Sequence, residues 1–116
     1  MRLFRLMAVA LLPALAACAS AIPGGRDCRG GPTEVANASS QAVEQLYFGT
    51  DPAEPGDDRL GPAGLPPRAS LTLDRPPGPM LALRAVWVNG RAAEFASAEA
   101  CGLNRVTITD GGIRAE

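Results

Sequence analysis

Apolar and polar residues alternate along several short segments, which is the pattern of strands that bury one face and expose the other. Residues 80–88 carry the alternation furthest, and residues 70–74 and 106–109 repeat it over shorter stretches. After the first of these segments comes Asn89-Gly90, a pair that favours a two-residue type I′ hairpin turn because both positions need positive φ. Residues 91–96 are then predicted to return as the partner strand.

Two further segments complete the predicted strands. Residues 33–37 are short and precede a turn at 38–41. Residues 42–48 are apolar enough for a strand, yet Glu44 and Gln45 are good helix formers. This second segment is therefore predicted as a strand, with one helical turn as the alternative.

The predicted fold is all-β, a small antiparallel β-sandwich or barrel of about six short strands over residues 33–116. Residues 49–68 hold many Pro and Gly and are predicted as one long irregular loop. The predicted core consists of the large apolar residues of the strands: Val43, Leu46, Phe48, Leu71, Leu73, Leu81, Leu83, Trp87, Phe95, Val106 and Ile108.

The first 17 residues have the organisation of an export signal. Arg2 and Arg5 precede an apolar run over residues 6–17. About 12 helical residues span about 18 Å, well short of the ~30 Å hydrocarbon core of a bilayer. A cleaved N-terminal signal helix is therefore predicted instead of a permanent membrane span.

The motif Leu15-Ala16-Ala17-Cys18 resembles the lipobox of bacterial lipoproteins. The resemblance implies that Cys18 receives a diacylglyceryl group and that a peptidase cuts before it. Ala19 follows the cysteine, which by the sorting pattern of that family implies the periplasmic face of the outer membrane. The alternative is ordinary signal cleavage after Ala21, within the pattern Ala19-Ser20-Ala21, which would release a soluble periplasmic or secreted protein.

The cysteine count supports the lipobox. Three cysteines are an odd number for an exported protein, and lipidation of Cys18 would leave Cys28 and Cys101 as a pair. We predict a disulfide between them, worth about 4 kcal/mol for a loop of about 74 residues. In the alternative, Cys28 is a free or intermolecular thiol. Residues 18–32, small and polar, are predicted as a flexible tether.

Charge and residue types exclude several functions. The net charge is −1, which argues against a nucleic-acid partner. All 11 basic residues are arginines, and there is no histidine. Catalytic Ser-His or Cys-His pairs and His-ligated metals are thereby excluded. We expect a non-enzymatic protein with no catalytic residues, no metal and no cofactor.

Candidate chemistry is weak elsewhere. Four acidic residues in the loop suggest Ca²⁺, but their spacing does not match an EF-hand and a solvated loop is the favoured interpretation: Asp51, Glu54, Asp57 and Asp58. Arg84 and Arg91 flank the hairpin, either as an anion-binding pair or as separate surface residues. Tyr47 and Trp87 are expected in the core, with a ligand groove as the alternative.

From Asn37 onward the chain resembles small exported bacterial proteins of uncharacterised function. The matching segments are Asn37-x-Ser39-Ser40, Leu46-Tyr47, Arg59-Leu60-Gly61, Leu65-Pro66-Pro67-Arg68-x-Ser70, Leu83-Arg84-x-Val86-Trp87-x-Asn89-Gly90-Arg91 and Cys101. The resemblance implies a compact β domain without a known activity. It also implies a cysteine where Pro79 and Met80 stand here, so Cys101 either pairs with Cys28 or stays free.

These observations predict a lipid-anchored envelope protein that acts as a non-enzymatic interaction or structural module. Its expected partners are the membrane, through the lipid anchor, and an envelope protein. The alternative is a soluble periplasmic module that holds a ligand or peptide with the 49–68 loop and the strand of Trp87.

Overall fold

The structure, a computed structural model, describes residues 28–116. Seven strands account for its secondary structure, and they are β1 (Gly31–Asn37), β2 (Val43–Gly49), β3 (Ser70–Arg75), β4 (Leu81–Trp87), β5 (Ala92–Ser97), β6 (Arg105–Thr109) and β7 (Gly112–Ala115). The predicted all-β class is confirmed. Residues 42–48 form a strand and not the helical turn considered as an alternative. The predicted signal, the lipobox and Cys18 lie outside the described residues.

The strands form two sheets that pack face to face as a β-sandwich. One sheet has the order β3-β1-β6-β7 and the other β2-β4-β5. Within residues 28–116, the strand pairs are antiparallel except for β1 with β6, which run parallel. The purely antiparallel prediction was wrong at this one pair. Because β1 and β6 are about 70 residues apart in the chain, local sequence patterns carry no information about their direction.

The chain turns at Asp110-Gly111 and continues as a seventh strand, β7. The sequence pattern predicted about six strands, the last of which ends at Thr109. Thr109 pairs with Gly112 across the turn, and its hydroxyl donates to the Gly112 carbonyl (3.0 Å). Ile113 and Ala115 of β7 pack against the core. A four-residue strand with two apolar residues is too short for its alternation to stand out.

The β4–β5 hairpin has a three-residue turn over residues 88–90 instead of the predicted two-residue type I′ turn. Trp87 N–H donates to the Arg91 carbonyl (2.9 Å), and Gly90 N–H donates to the Trp87 carbonyl (2.9 Å). Gly90 has φ +89°, while Asn89 is not among the positive-φ residues. Asn89 instead accepts the Arg91 N–H at its side-chain oxygen (3.0 Å), which stabilises the longer turn.

The core lies between the two sheets and matches most of the predicted set. Eight of the eleven predicted residues are buried, and Leu71, Leu73 and Phe95 pack against them half-buried. Buried residues that the pattern did not single out are Val35, Leu65, Ala85 and Ala100. Leu65 was missed because it lies in the Pro- and Gly-rich segment, where no periodicity marks a buried position.

The segment after β2 folds back along the outer edge of that strand. Val43 and Leu65 exchange two backbone hydrogen bonds (2.9 and 2.8 Å), and Arg59 N–H donates to the Leu46 carbonyl (2.7 Å). A Cβ on Gly64 would lie 2.6 Å from the Val43 carbonyl oxygen, so only glycine permits this close approach. The long loop thus covers a sheet edge that would otherwise be open to pairing.

The strand directions divide the sandwich into two ends. One end contains Cys28, Cys101 and the loops over residues 76–80 and 98–104, and we call it the bridge end after the disulfide between these cysteines. The opposite end contains the turns after β1, β4 and β6 together with residues 66–69, and we call it the groove end after the groove described below. A seven-residue strand such as β1 spans about 20 Å between these ends.

β1 begins at Gly31, inside the segment predicted as a flexible tether, so the tether prediction extends too far along the chain. Residues 28–116 contain no helix of the length and apolarity required to cross a membrane.

Candidate functional site

The predicted disulfide is present at the bridge end. Cys28 and Cys101 are joined with their Cα atoms 4.6 Å apart, and both residues are half-buried. The Cys28 carbonyl accepts the Gly78 N–H (2.6 Å), and the Pro79 carbonyl accepts the Ala100 N–H (2.8 Å). The bridge therefore joins the start of the domain to the segment before β6. Its formation excludes the alternatives of a free or intermolecular Cys28 thiol.

Two acidic residues of the loop accept hydrogen bonds from backbone N–H groups. One oxygen of Asp58 accepts the N–H groups of Leu46 (2.9 Å) and Leu60 (3.0 Å). Asp51 accepts the Ala53 N–H (2.9 Å). Within the described part of the chain, no three acidic or cysteine side chains are grouped to hold a metal ion. Of the carboxylates considered for Ca²⁺, Asp58 thus fixes the loop against β2, and Asp51 stabilises a turn within the loop.

Arg84 and Arg91 have different partners. Arg84 lies on the outer face of the three-stranded sheet and pairs with Glu94 at 2.9 Å, with both side chains exposed. Arg91 lies over the Trp87 ring, 5.4 Å from its centroid. The two guanidinium groups are engaged separately, which agrees with the surface interpretation and not with a shared anion site.

A cleft of about 270 Å³ lies on the outer face of the three-stranded sheet. Its floor is formed by Ala82 and Ala96, which are neighbours across β4 and β5. Pro52 and Pro55 of the loop overhang it, and the Arg84–Glu94 pair forms one wall. Trp87, expected either in the core or in a groove, is buried in the core and does not line this cleft.

A buried polar network fixes the groove end. Asn37 is 1% exposed, and its amide nitrogen donates to the carbonyls of Gln41 and Leu65 (2.9 Å each). Its oxygen accepts from the N–H (2.9 Å) and hydroxyl (2.5 Å) of Ser39. Trp87 donates its indole N–H to the Ser39 hydroxyl oxygen at 2.8 Å. Three segments of the chain meet in this network, so it orders the whole end of the sandwich.

The sequence predicts a turn over residues 38–41, which contains Ser39, and the hydrogen bond from the Ser39 N–H to the Asn37 side chain is typical of such a turn. The contact with Trp87, 48 residues further along the chain, was missed. One signal was available: Asn37 shares the inward parity of Thr33 and Val35 on β1. A polar amide at a core position needs internal partners.

A second, larger groove of about 680 Å³ opens at the groove end, on the outer face of the four-stranded sheet. Ala36 and Ser40 contribute from β1 and the turn after it, and Arg68, Arg105 and Asp110 surround them. Two segments from the sequence resemblance, Asn37-x-Ser39-Ser40 and the segment ending in Arg68-x-Ser70, meet here. Because these two segments lie far apart in the sequence, their proximity could not be predicted from it.

Asp110 lines this groove and fixes Ser40, another lining residue, through hydrogen bonds. Both the N–H and the hydroxyl of Ser40 donate to its Oδ1 (2.8 Å each). These hydrogen bonds, first from the backbone and then from the side chain, lower the pKa of the Asp110 carboxyl, and Arg91 adds a smaller attraction against a small opposing effect of burial. The carboxylate is therefore charged at neutral pH.

This lowered pKa predicts a pH-dependent contribution to stability. A carboxyl whose pKa is lower in the folded state stabilises the fold above its unfolded value of 3.8, and the contribution is lost as the pH falls through the folded-state pKa. Asp110→Asn keeps an oxygen that accepts from Ser40 and removes only the charge. We expect the variant to have a lower Tm at pH 7, and the Tm difference to shrink as the pH falls below about 4 and to close once the pH is below the folded-state pKa. Circular dichroism melts between pH 7 and pH 2 measure this; a constant difference would contradict the assignment.

The geometry defines a disulfide-bridged, seven-stranded β-sandwich with a polar groove at the end opposite the bridge. No family model matches the chain, and comparisons with curated proteins and with solved structures find no match.

Proposed function

We propose that the protein is a lipid-anchored envelope protein whose β-sandwich is a non-enzymatic interaction module. The observation that carries the proposal is the Cys28–Cys101 disulfide. Structural disulfides form and persist in oxidising compartments such as the periplasm. With these two sulfurs joined, Cys18 is the remaining cysteine of three, and it stands in the lipobox position. The disulfide thus supports export to an oxidising compartment, and the one cysteine left over supports lipidation at Cys18.

The position of the disulfide supports one end of the sandwich as the attachment point of the anchor. An anchor at Cys18 would connect to the sandwich through Cys28, which lies at the bridge end. Ten residues along the chain reach at most about 35 Å. The bridge end would then be the end of the sandwich attached to the tether, with the outer membrane as the proposed site.

The hydrogen bonding of the polar side chains supports binding over catalysis. Asn37 and Ser39 are committed to the buried network, and Asp110 is held by Ser40. Asp58 caps backbone N–H groups at the edge of β2. These are structural roles that leave little freedom for proton transfer or nucleophilic attack.

The test is the lipid on Cys18. Metabolic labelling with an acyl-chain analogue is expected to mark the wild type and to be lost in Cys18→Ala, which should also remain as an unprocessed precursor. Cys101→Ala is the matched control because it removes a different cysteine, and it should keep the label. Intact-mass analysis of the extracted protein reports the mature N-terminus. A mature chain that begins at Ile22 without added mass would refute lipidation.

That outcome would favour the second candidate, a soluble periplasmic module that binds a small ligand or peptide. The 270 Å³ cleft is the observation in its favour, because the 49–68 loop contributes Pro52 and Pro55 to its wall as a binding loop would.

A further inference from the structure

Arg68 occupies an unusual position in the groove. Its φ of +72° makes it the one non-glycine residue with positive φ in the described range, a conformation that costs about 1 kcal/mol or more for a residue with a Cβ. The conformation is held from both sides: Arg68 N–H donates to the Asn37 carbonyl (2.7 Å), and Ala69 N–H donates to the Pro66 carbonyl (3.1 Å). The strained backbone is therefore fixed to the rigid network of Asn37.

The guanidinium of Arg68 is exposed and, among residues 28–116, has no hydrogen-bond or ion-pair partner. The other charged residues of the groove are engaged. Arg105 pairs with Glu34, and Asp110 holds Ser40. Arg68 is thus the cation among the residues lining this groove that has no carboxylate partner, although the Asp110 carboxylate lines the same groove. Removal of Arg2 and Arg5 with the signal would leave a mature chain of net charge −3, so this positive site stands out on an acidic protein.

We infer that this groove binds an acidic peptide segment of a partner protein, and that Arg68 is the residue that receives its carboxylate. The inference rests on the proposed function as an interaction module and names the chemistry of its partner. A guanidinium presents two parallel N–H donors that match a carboxylate, and because the Arg68 backbone is already fixed, binding orders only its side chain. A groove of about 680 Å³ is larger than a single small anion requires and has room for several residues of a peptide.

The point where the tether joins the domain favours a protein partner over a lipid headgroup. The groove end lies about 20 Å from the bridge end, where the anchor would attach. A site at the end opposite the tether is more accessible to other envelope proteins than to the leaflet that holds its own anchor.

The test uses the mature protein in detergent micelles and a synthetic octapeptide of alternating Glu and Ala, with the Gln-Ala octapeptide as its neutral counterpart. Binding is followed by NMR shifts of the Ala36, Ser40 and Arg68 amides. We expect the acidic peptide to bind and the neutral one not to bind. Arg68→Gln should weaken binding about tenfold or more, since a charge-assisted bidentate contact is lost.

Two further variants separate folding from binding. Arg68→Gly relieves the positive φ, so it should raise the Tm while it removes binding. Arg114→Gln is the matched control because it removes the same charge from an exposed position of β7 outside the groove. Equal weakening in Arg68→Gln and Arg114→Gln would indicate general electrostatics and overturn the inference, as would no binding of the acidic peptide.

Inorganic phosphate and vesicles with anionic lipids are tested in parallel. Tighter, Arg68-dependent binding of either would overturn the peptide assignment in favour of a phosphate group. Acylation of Cys18 is measured on the same preparations. If the protein is acylated but does not bind the peptide, only this inference is refuted. If it is not acylated but binds the peptide, only the lipid anchor is refuted.

Discussion

Replacement of both Cys28 and Cys101 by serine is expected to lower the free energy of unfolding by about 4 kcal/mol. The bridge joins residues 73 positions apart, so its loss frees most of the domain in the unfolded state. Small domains have total stabilities of about 5–15 kcal/mol, and the loss would be a large share of that. Urea unfolding followed by tryptophan fluorescence under non-reducing conditions measures the change, because the single Trp87 lies in the core.

The controls for this prediction use the same two sulfurs. Wild-type protein treated with reductant should unfold at the urea concentration of the double variant, and reductant should leave the double variant unchanged. Acylation at Cys18 should persist in the variant, since the lipobox does not depend on the bridge. A double variant within about 1 kcal/mol of the oxidised wild type would show that the bridge contributes little to the fold.

The fold was largely predictable because its strands are encoded locally. Alternation along Leu81–Trp87 and Arg105–Thr109 set the inward residues, and turn residues marked most of the ends. The parallel pairing of β1 with β6 was not predictable from such patterns. It depends on which faces can be buried together once both sheets exist, and no short segment encodes that choice.

The groove could not be predicted because its residues come from distant parts of the chain. Asn37, Arg68 and Asp110 were each visible as single polar residues near turns. Their meeting follows from two pairings: β1 with β6, and the segment after β2 with the end of β1. The positive φ of Arg68 was also invisible, because a proline fixes its own φ and restricts the residue before it, but does not set the φ of the residue that follows. The disulfide, by contrast, followed from a count of sulfurs.

Asn37→Ala is expected to destabilise the protein by roughly 2–4 kcal/mol, since it removes four hydrogen bonds at roughly 1 kcal/mol each, while some of their partners keep a second hydrogen bond. Those partners are the carbonyls of Gln41 and Leu65 and both donors of Ser39. Loss of the Leu65 contact should also loosen the segment that covers β2. Urea unfolding gives the free-energy change, and amide hydrogen exchange at Leu65 reports the local loosening.

Asn104→Ala is the matched control, because Asn104 is exposed and its backbone groups alone make contacts. Its effect should stay within about 0.5 kcal/mol. Ser39→Ala tests the coupling: if Asn37 and Ser39 act as one network with Trp87, the double variant should cost clearly less than the sum of the two single changes. Additive costs would mean that the two residues stabilise the groove end independently, and the rigid support inferred for Arg68 would then depend on Asn37 alone.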